Sequence, residues 1–417
     1  MTPTVSPDRL QGFYDEQAET MSRDAIRAMH EGILGTLTQF CFDNSSTYRE
    51  KFERAGIGPE DIASLDDLTR IPVTRKDETQ GLRFEGVMTV PYNHARRIFV
   101  SPGPQFYAYG PIPHKANPLL KVYHAIGMRP GDIVLNTLTY HLTPAGINFD
   151  ESLGEFGCAV IPAGPGNTDL QVQILQQLDV TGYVGTPSFL RILADKAADM
   201  GVTPREDFSM ECALTTAETL REELRAEMED AYGCIVRQLY GSADGLMPCF
   251  ECWAADGMHV PEIMILEITD PETGDPLPPG EAGAVTASVM NPYRPLLRFC
   301  NGDRGMLVDE PCRCGRTSIR FRFLGRIDES TKVRGMFVYP EQIAEAMAPF
   351  ERPWHAVVEA DERGLDRFVV EIEGSADDSL KDRVAEAIRG IVRLRADVTP
   401  VEKLSGDAGH LTDRRSA

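Results

Sequence analysis

Tyr240-Gly-Ser-Ala-Asp244 opens the stretch that decides the fold, and the signatures follow in close order up to Pro340. Cys252 and His259 come next, then Arg298-Phe-Cys-Asn-Gly-Asp303, Cys312-Arg-Cys314-Gly-Arg316, Gly325-Arg-Ile-Asp328, Arg334-Gly335 and Val338-Tyr-Pro340. Taken by itself, Tyr240–Asp244 after the apolar run Cys234-Ile-Val-Arg-Gln-Leu is a strand-to-turn junction with a capping Asp. Cys252, His259, Cys312 and Cys314 supply three thiolates and one imidazole. That set is sufficient for tetrahedral zinc with no position left open for chemistry. The intervening residues are rich in strands and turns, so a hairpin return would bring the two pairs together. Cys249 is a spare candidate. The alternative is a set of unrelated buried thiols, although Cys-x-Cys followed by Gly in a turn is hard to accommodate as packing.

Working outward, residues 116–240 alternate helical and apolar strand-like runs, among them Asp132-Ile-Val-Leu, Gly157-Cys-Ala-Val-Ile161, Gly182-Tyr-Val-Gly-Thr186 and Cys212-Ala-Leu-Thr. Such alternation predicts a parallel sheet covered by helices. Strands dominate 258–325, broken by Pro271-Glu-Thr-Gly274 and Pro278-Pro-Gly280. Residues 7–56 carry apolar positions at helical spacing, and Arg96-Arg-Ile-Phe-Val100 is a short strand ending in Ser101-Pro-Gly-Pro104. The expected fold class is α/β. A large domain over 1–327 has parallel and mixed sheets covered by helices, with a strand-rich, zinc-bearing part at about 249–325. A small α+β domain follows over 328–417.

The chain has 42 basic and 64 acidic residues, a net charge of −22. That balance argues against nucleic acid or an anionic membrane surface as partner, since both require basic surface. No apolar run approaches the ~20 residues of a membrane span, and the start Met-Thr-Pro-Thr-Val-Ser lacks the basic and apolar parts of a signal peptide. Nine cysteines, an odd count, predict a reducing cytoplasm.

The ordered motifs resemble those of phenylacetate–CoA ligases, within the adenylate-forming acyl-CoA ligase superfamily. The resemblance implies a mobile carboxy-terminal domain, and it implies ATP or AMP with Mg²⁺, CoA and a structural zinc as cofactors. The partner would be a small carboxylic acid or its thioester, and a homodimer is compatible with it. It places Tyr240 against adenine and Asp244, one methylene shorter than the family's glutamate, near the phosphates and magnesium. Asp303 falls on the aspartate that accepts both ribose hydroxyls, Arg326 on the arginine that touches ribose or phosphate, and Asp328 on the hinge. Arg334-Gly335 matches the loop presented during thioester formation. Thr216-Ala-Glu218 borders the adenine, Thr186-Pro-Ser188 and Pro162-Ala-Gly-Pro-Gly-Asn167 match turns, and Tyr140, His141 and Phe149 fall where relatives line the acyl pocket.

Two departures accompany the match. Ser101-Pro-Gly-Pro-Gln-Phe106 stands where the family has a Ser/Thr/Gly-rich phosphate loop, and Pro102 and Pro104 each remove an N–H donor. Near the end, Leu404-Ser-Gly-Asp-Ala-Gly409-His410 places His410 at the family's catalytic lysine. A histidine is a poor stand-in for a fixed cation, and a solvated tail residue is the other reading. Three functions follow. The first is an acyl-CoA ligase-like enzyme that activates a carboxylic acid, with aromatic acids among the candidates, through an acyl-adenylate and hands it to a thiol such as CoA. The second is a relative acting on a preformed acyl-adenylate or acyl-CoA without ATP, with His141 as candidate base. The third is a non-catalytic binding protein on the same scaffold.

Overall fold

The computed structural model describes residues 6–79, 86–101, 105–110, 117–241, 248–327, 331–338 and 340–415. Pro102, Pro104, Asp244 and Asp328 lie outside the described residues. Contacts divide the chain into two compact units, Met1–Gly325 and Arg326–Ala417.

The first unit carries strands β1 (Thr74–Arg75), β2 (Arg97–Ser101), β3 (Gln105–Tyr109), β4 (Ile133–Asn136), β5 (Ala159–Pro162), β6 (Val180–Gly185) and β7 (Cys212–Thr215). It continues with β8 (Ile235–Tyr240), β9 (Cys249–Glu251), β10 (Met258–His259), β11 (Ile265–Thr269), β12 (Ala282–Val289), β13 (Leu296–Val308) and β14 (Arg320–Arg326). All but the hairpin β2–β3 join one 12-stranded sheet, ordered β11-β12-β13-β14-β10-β9-β8-β7-β6-β4-β5 with β1 on β13. The half from β5 to β8 is parallel and the half beyond β9 is antiparallel except for β1, which runs parallel to β13.

The sequence explains the parallel half. β7 and β8 are buried at every residue, so neither alternates, and the Arg237 and Gln238 side chains within β8 are held by Glu229 and the Glu218 carbonyl. One core cluster, around Tyr123, Val134 and Leu214, and a second, around Tyr183, Leu190 and Val236, fill the space between this sheet and its helices. Helix Pro187–Asp199 starts where the Thr186 side chain accepts from Phe189 N and proline occupies the first turn. Helix Glu222–Tyr232 stops at Gly233, whose φ of 70° a side chain would resist. The two halves are stitched by buried charge. Arg225 donates to both oxygens of Glu251 at 2.8 and 2.7 Å, and Gln238 N donates to the same carboxylate at 2.7 Å.

The second unit holds the hairpin β15 (Thr331–Val333) and β16 (Met336–Val338), then β17 (Trp354–Ala360), β18 (Asp366–Glu373), β19 (Asp397–Val401) and β20 (Leu411–Asp413). The last four form a sheet ordered β19-β18-β17-β20. Helices Pro340–Met347 and Asp378–Val392 share its core, which includes Ile343, Phe368, Val370 and Ile388. No helix among the described residues is long and apolar enough to cross a membrane. The α/β class expected from the alternation is the class observed.

Candidate active site and metal centre

The carboxyl ends of the parallel strands carry Tyr140, His141, Thr216, Glu218 and Tyr240. β5 and β6 lie on opposite sides of β4, and such a reversal opens a crevice at the carboxyl edge of an α/β sheet. Thr137, just past β4, bridges it by donating its N–H to Val184 O at 2.8 Å. Gly185 has no side chain for a physical reason, because a Cβ there would run into Thr137 Oγ1 and the Tyr183 hydroxyl. Thr216, past β7, donates its N–H to Gly185 O at 2.9 Å. The next residue, Ala217, has a φ of 72°, a left-handed conformation that turns the chain so that Glu218 faces helix Pro187–Asp199. Ser188 of that helix donates its Oγ to Glu218 at 2.9 Å and its N–H at 3.2 Å.

Tyr240 closes β8 and its ring packs against Phe321 and Phe323 of β14, with centroids 4.9 and 5.6 Å away. Its hydroxyl donates to Asp303 Oδ2 at 2.5 Å and accepts from Asn301 Nδ2 at 2.8 Å. Asn301 also donates to Asp303 Oδ2 at 2.7 Å and accepts from Asp303 N at 3.1 Å. All three residues are buried. Burial, then the Asp303 carboxylate, pushes the Tyr240 phenol well above its ordinary range, so it stays a donor. The motif reading picked out Tyr240 and Asp303 and missed Asn301, although Asn301 stands inside the quoted stretch.

Tyr140 is half-buried beyond β4, donates its hydroxyl to Asp150 at 2.8 Å and accepts from Asn136 at 2.9 Å. His141 is exposed. Phe149 packs into the core beside Tyr123, centroids 6.4 Å apart. The hairpin β2–β3 is tied to this region, since Val100 N donates to Leu142 O at 2.7 Å and the Tyr109 hydroxyl to Glu151 at 3.0 Å. Its register pairs Ser101 with Gln105, so three residues connect the strands. In the second unit, Arg326 ends β14 half-buried, Arg334 lies exposed in the β15–β16 turn, and His410 is exposed immediately before β20.

Cys252, His259, Cys312 and Cys314 come together, with their ligand atoms all within 4.8 Å of one another. The β9–β10 hairpin, in register Met258↔Glu251, returns His259 beside Cys252, and the turn between β13 and β14 supplies the Cys-x-Cys pair. Cys252 and Cys312 Sγ are 3.7 Å apart, which fits the ~3.8 Å that tetrahedral Zn–S bonds of about 2.3 Å require. His259 turns Nε2 toward Cys314 Sγ at 3.3 Å and Nδ1 toward Ser318 Oγ at 3.2 Å, the outer partner that would fix its tautomer. Backbone N–H groups of Ala254 and Arg316 reach Cys252 and Cys314 sulfur at 3.4 Å each, as suits thiolates. Hydrogen bonds from Cys252 and Cys312 hold the Cys314 thiol well below its ordinary range. These four residues could hold a metal ion. The turn is braced from the amino terminus. Arg316 Nε donates to buried Glu19 at 2.6 Å, and the Arg316 guanidinium lies 5.2 Å over the Phe13 ring.

The arrangement is that of an adenylate-forming enzyme. Residues 115–293 match the family model "AMP-binding enzyme". The chain is 31% identical over 406 residues to a phenylacetate–coenzyme A ligase of Thermus thermophilus, covering 92% of this chain and 91% of that one. Against the phenylacetate–coenzyme A ligase of Pseudomonas putida it is 30% identical, over 78% of this chain and 76% of the relative. In fold it matches a crystal structure of 2-hydroxyisobutyryl-CoA ligase in complex with 2-HIB-AMP and CoA, with a TM-score of 0.88 at 22% identity, covering 99% of this chain and 94% of that one. The chain belongs to the phenylacetate–CoA ligase family of AMP-binding enzymes.

Proposed function

We propose that this chain is an acyl-CoA ligase-like enzyme that works through an acyl-adenylate and passes the acyl group to a thiol such as CoA. The Tyr240–Asn301–Asp303 network supports this most directly, because it holds a buried carboxylate in one orientation at the end of β8. A carboxylate so fixed can accept a ribose diol, and Asn301 and Tyr240 keep it from turning away. Thr216 and Glu218, anchored by Gly185 and Ser188, would border the base. Arg326, Asp328 and Arg334 of the second unit would serve nucleotide contact, hinge and thiol transfer. Asp244 would act near the phosphates, and Tyr140, His141 and Phe149 near the acyl group. In the transfer step the thiol sulfur attacks the acyl carbon, and that carbon's bond to the AMP oxygen breaks. AMP leaves with the electron pair while the thiol proton passes to solvent.

The Cys252, His259, Cys312 and Cys314 set would hold a structural zinc that locks the β9–β10 and β13–β14 turns and takes no part in the reaction. A reducing cytoplasm suits its three thiolates.

A second reading is favoured by the hairpin β2–β3. With Ser101 paired to Gln105 and proline at 102 and 104, the connection offers few N–H donors for β- and γ-phosphates. On that reading the acyl group arrives already activated and no ATP is consumed. Pyrophosphate release with ATP and a panel of aryl and alkyl acids separates the two. Release that disappears in Asp303→Ala supports the ligase. Silence, with AMP or CoA still bound by calorimetry, supports the second reading. Failure to bind either would remove both.

A further inference from the structure

The second unit holds Arg334 in a backbone conformation that its residue type resists. β15 and β16 pair Val333 with Met336, so Arg334 and Gly335 form a two-residue turn, with φ of 48° and 80°. Positive φ at both positions is the type I′ hairpin geometry, where Asn, Asp or Gly normally stands first. An arginine persists there only if its surroundings over-determine it, and such strain gathers at working sites.

The surroundings are specific. Asp366, the first residue of β18, accepts Arg334 N at Oδ2 at 2.8 Å and Arg334 Nε at its carbonyl at 3.1 Å. Its other oxygen accepts Arg415 Nη1 at 2.8 Å. Arg415 reaches on from Nη2 to Thr331 Oγ1 at 2.9 Å and from Nε to Asp413 Oδ1 at 2.9 Å, while Thr331 donates to Asp413 Oδ2 at 2.6 Å. The first residue of β15 and its turn are therefore held by one connected set of two carboxylates and one guanidinium. Burial opposes the charge on Arg415, yet Asp413 and Asp366 raise its pKa above the ordinary range, so the clamp stays charged. The Arg334 side chain itself is exposed, and among the described residues no acceptor is bonded to its Nη1 or Nη2.

We propose that Asp366 and Arg415 are positioning residues that hold Arg334 in this strained turn with its Nη fork presented to solvent, ready for a phosphate of the acyl-adenylate or of CoA. The fork and a phosphate are matched in geometry and charge. The proposal rests on the acyl-transfer reading given above. Neither Asp366 nor Arg415 belongs to a motif in the sequence. They act through Arg334.

Two measurements on the full-length protein test it. Hydrogen exchange at the Arg334 amide reports the clamp without any reaction. Asp366→Asn and Arg415→Gln should speed it, and Arg415→Lys should largely restore it. Single-turnover transfer from a preformed acyl-adenylate to CoA reports the consequence. Asp366→Asn should slow transfer by up to the order of 10²-fold, and the double variant with Arg334→Ala should be no slower than Arg334→Ala alone. Unchanged exchange and transfer in Asp366→Asn, or losses that multiply in the double variant, would overturn the proposal. If the wild-type protein forms no thioester, the acyl-transfer reading fails, and exchange alone then decides the clamp.

Discussion

The corner around Tyr240 and the hairpin β2–β3, both singled out by the motif reading, are built on opposite principles. At the corner, Tyr240, Asn301 and Asp303 are buried polar groups that hydrogen-bond one another, an arrangement costly to assemble and therefore informative about a ligand. The hairpin is an apolar ribbon. Ile98 and Phe106 are exposed at 48% and 43%, and Ser101 pairs with Gln105. On the reading proposed above, a nucleoside would find fixed partners at the first, and the prolines at 102 and 104 leave few N–H donors for a triphosphate tail at the second. On that reading ribose recognition and phosphate handling would be separable in this chain.

Variants on the braced side should produce the large effects. Cys312→Ala removes one of the four candidate metal ligands. If zinc is structural here, bound metal should disappear and unfolding stability should fall by about 5 kcal/mol or more, read by metal analysis and urea titration. A folded wild-type protein free of zinc would contradict it. Next comes Arg316→Ala, which leaves Glu19 buried at 1% exposure without its cation. The expected loss is about 3–5 kcal/mol, and a loss under 1 kcal/mol would show the brace to be idle. The comparison itself is sharpened by ligand binding. On the reading without ATP, AMP and ATP should bind with affinities within about threefold, since each charge-assisted phosphate bond would otherwise add about 1.5 kcal/mol or more. ATP binding many times tighter would give the hairpin a phosphate role after all.

The smallest effect is on pH. Burial, with Arg129 and Arg316 adding, pushes the His124 imidazole down to about 4 from 6.5. Between those values the unfolded chain binds a proton that the folded one does not, so stability rises with pH across the window and falls on acidification. Because the ring is partly exposed, the expected loss from pH 6.5 to 4 is on the order of 1 kcal/mol. His124→Asn should flatten that part of the urea-unfolding profile, and an unchanged profile would show that another group sets the slope.

What could be read beforehand follows from what each feature demands of residue type. A metal cluster needs thiolates and imidazole at return spacing, so the grouping of Cys252, His259, Cys312 and Cys314 was visible, as were the apolar runs of the parallel strands. Partners fixed only by tertiary return were not. Glu19 meets Arg316 across 297 positions, and Arg415 meets Thr331 across 84. Asn301 lay inside a recognised motif, yet its role depends on the β13 backbone turning its amide to both Tyr240 and Asp303. Phe149 was legible as an apolar helix residue, whereas its packing beside Tyr123 on one face of helix Ala145–Phe156 was not. Arg334 was legible as a motif, whereas the strain at its φ of 48° was not.

Thioester formation from preformed aryl- and alkyl-adenylates and CoA, followed in a single turnover, tests the central claim most directly. The account predicts protein-dependent thioester that is lost in Asp303→Ala. No thioester from any adenylate, with AMP and CoA left unbound, would contradict it.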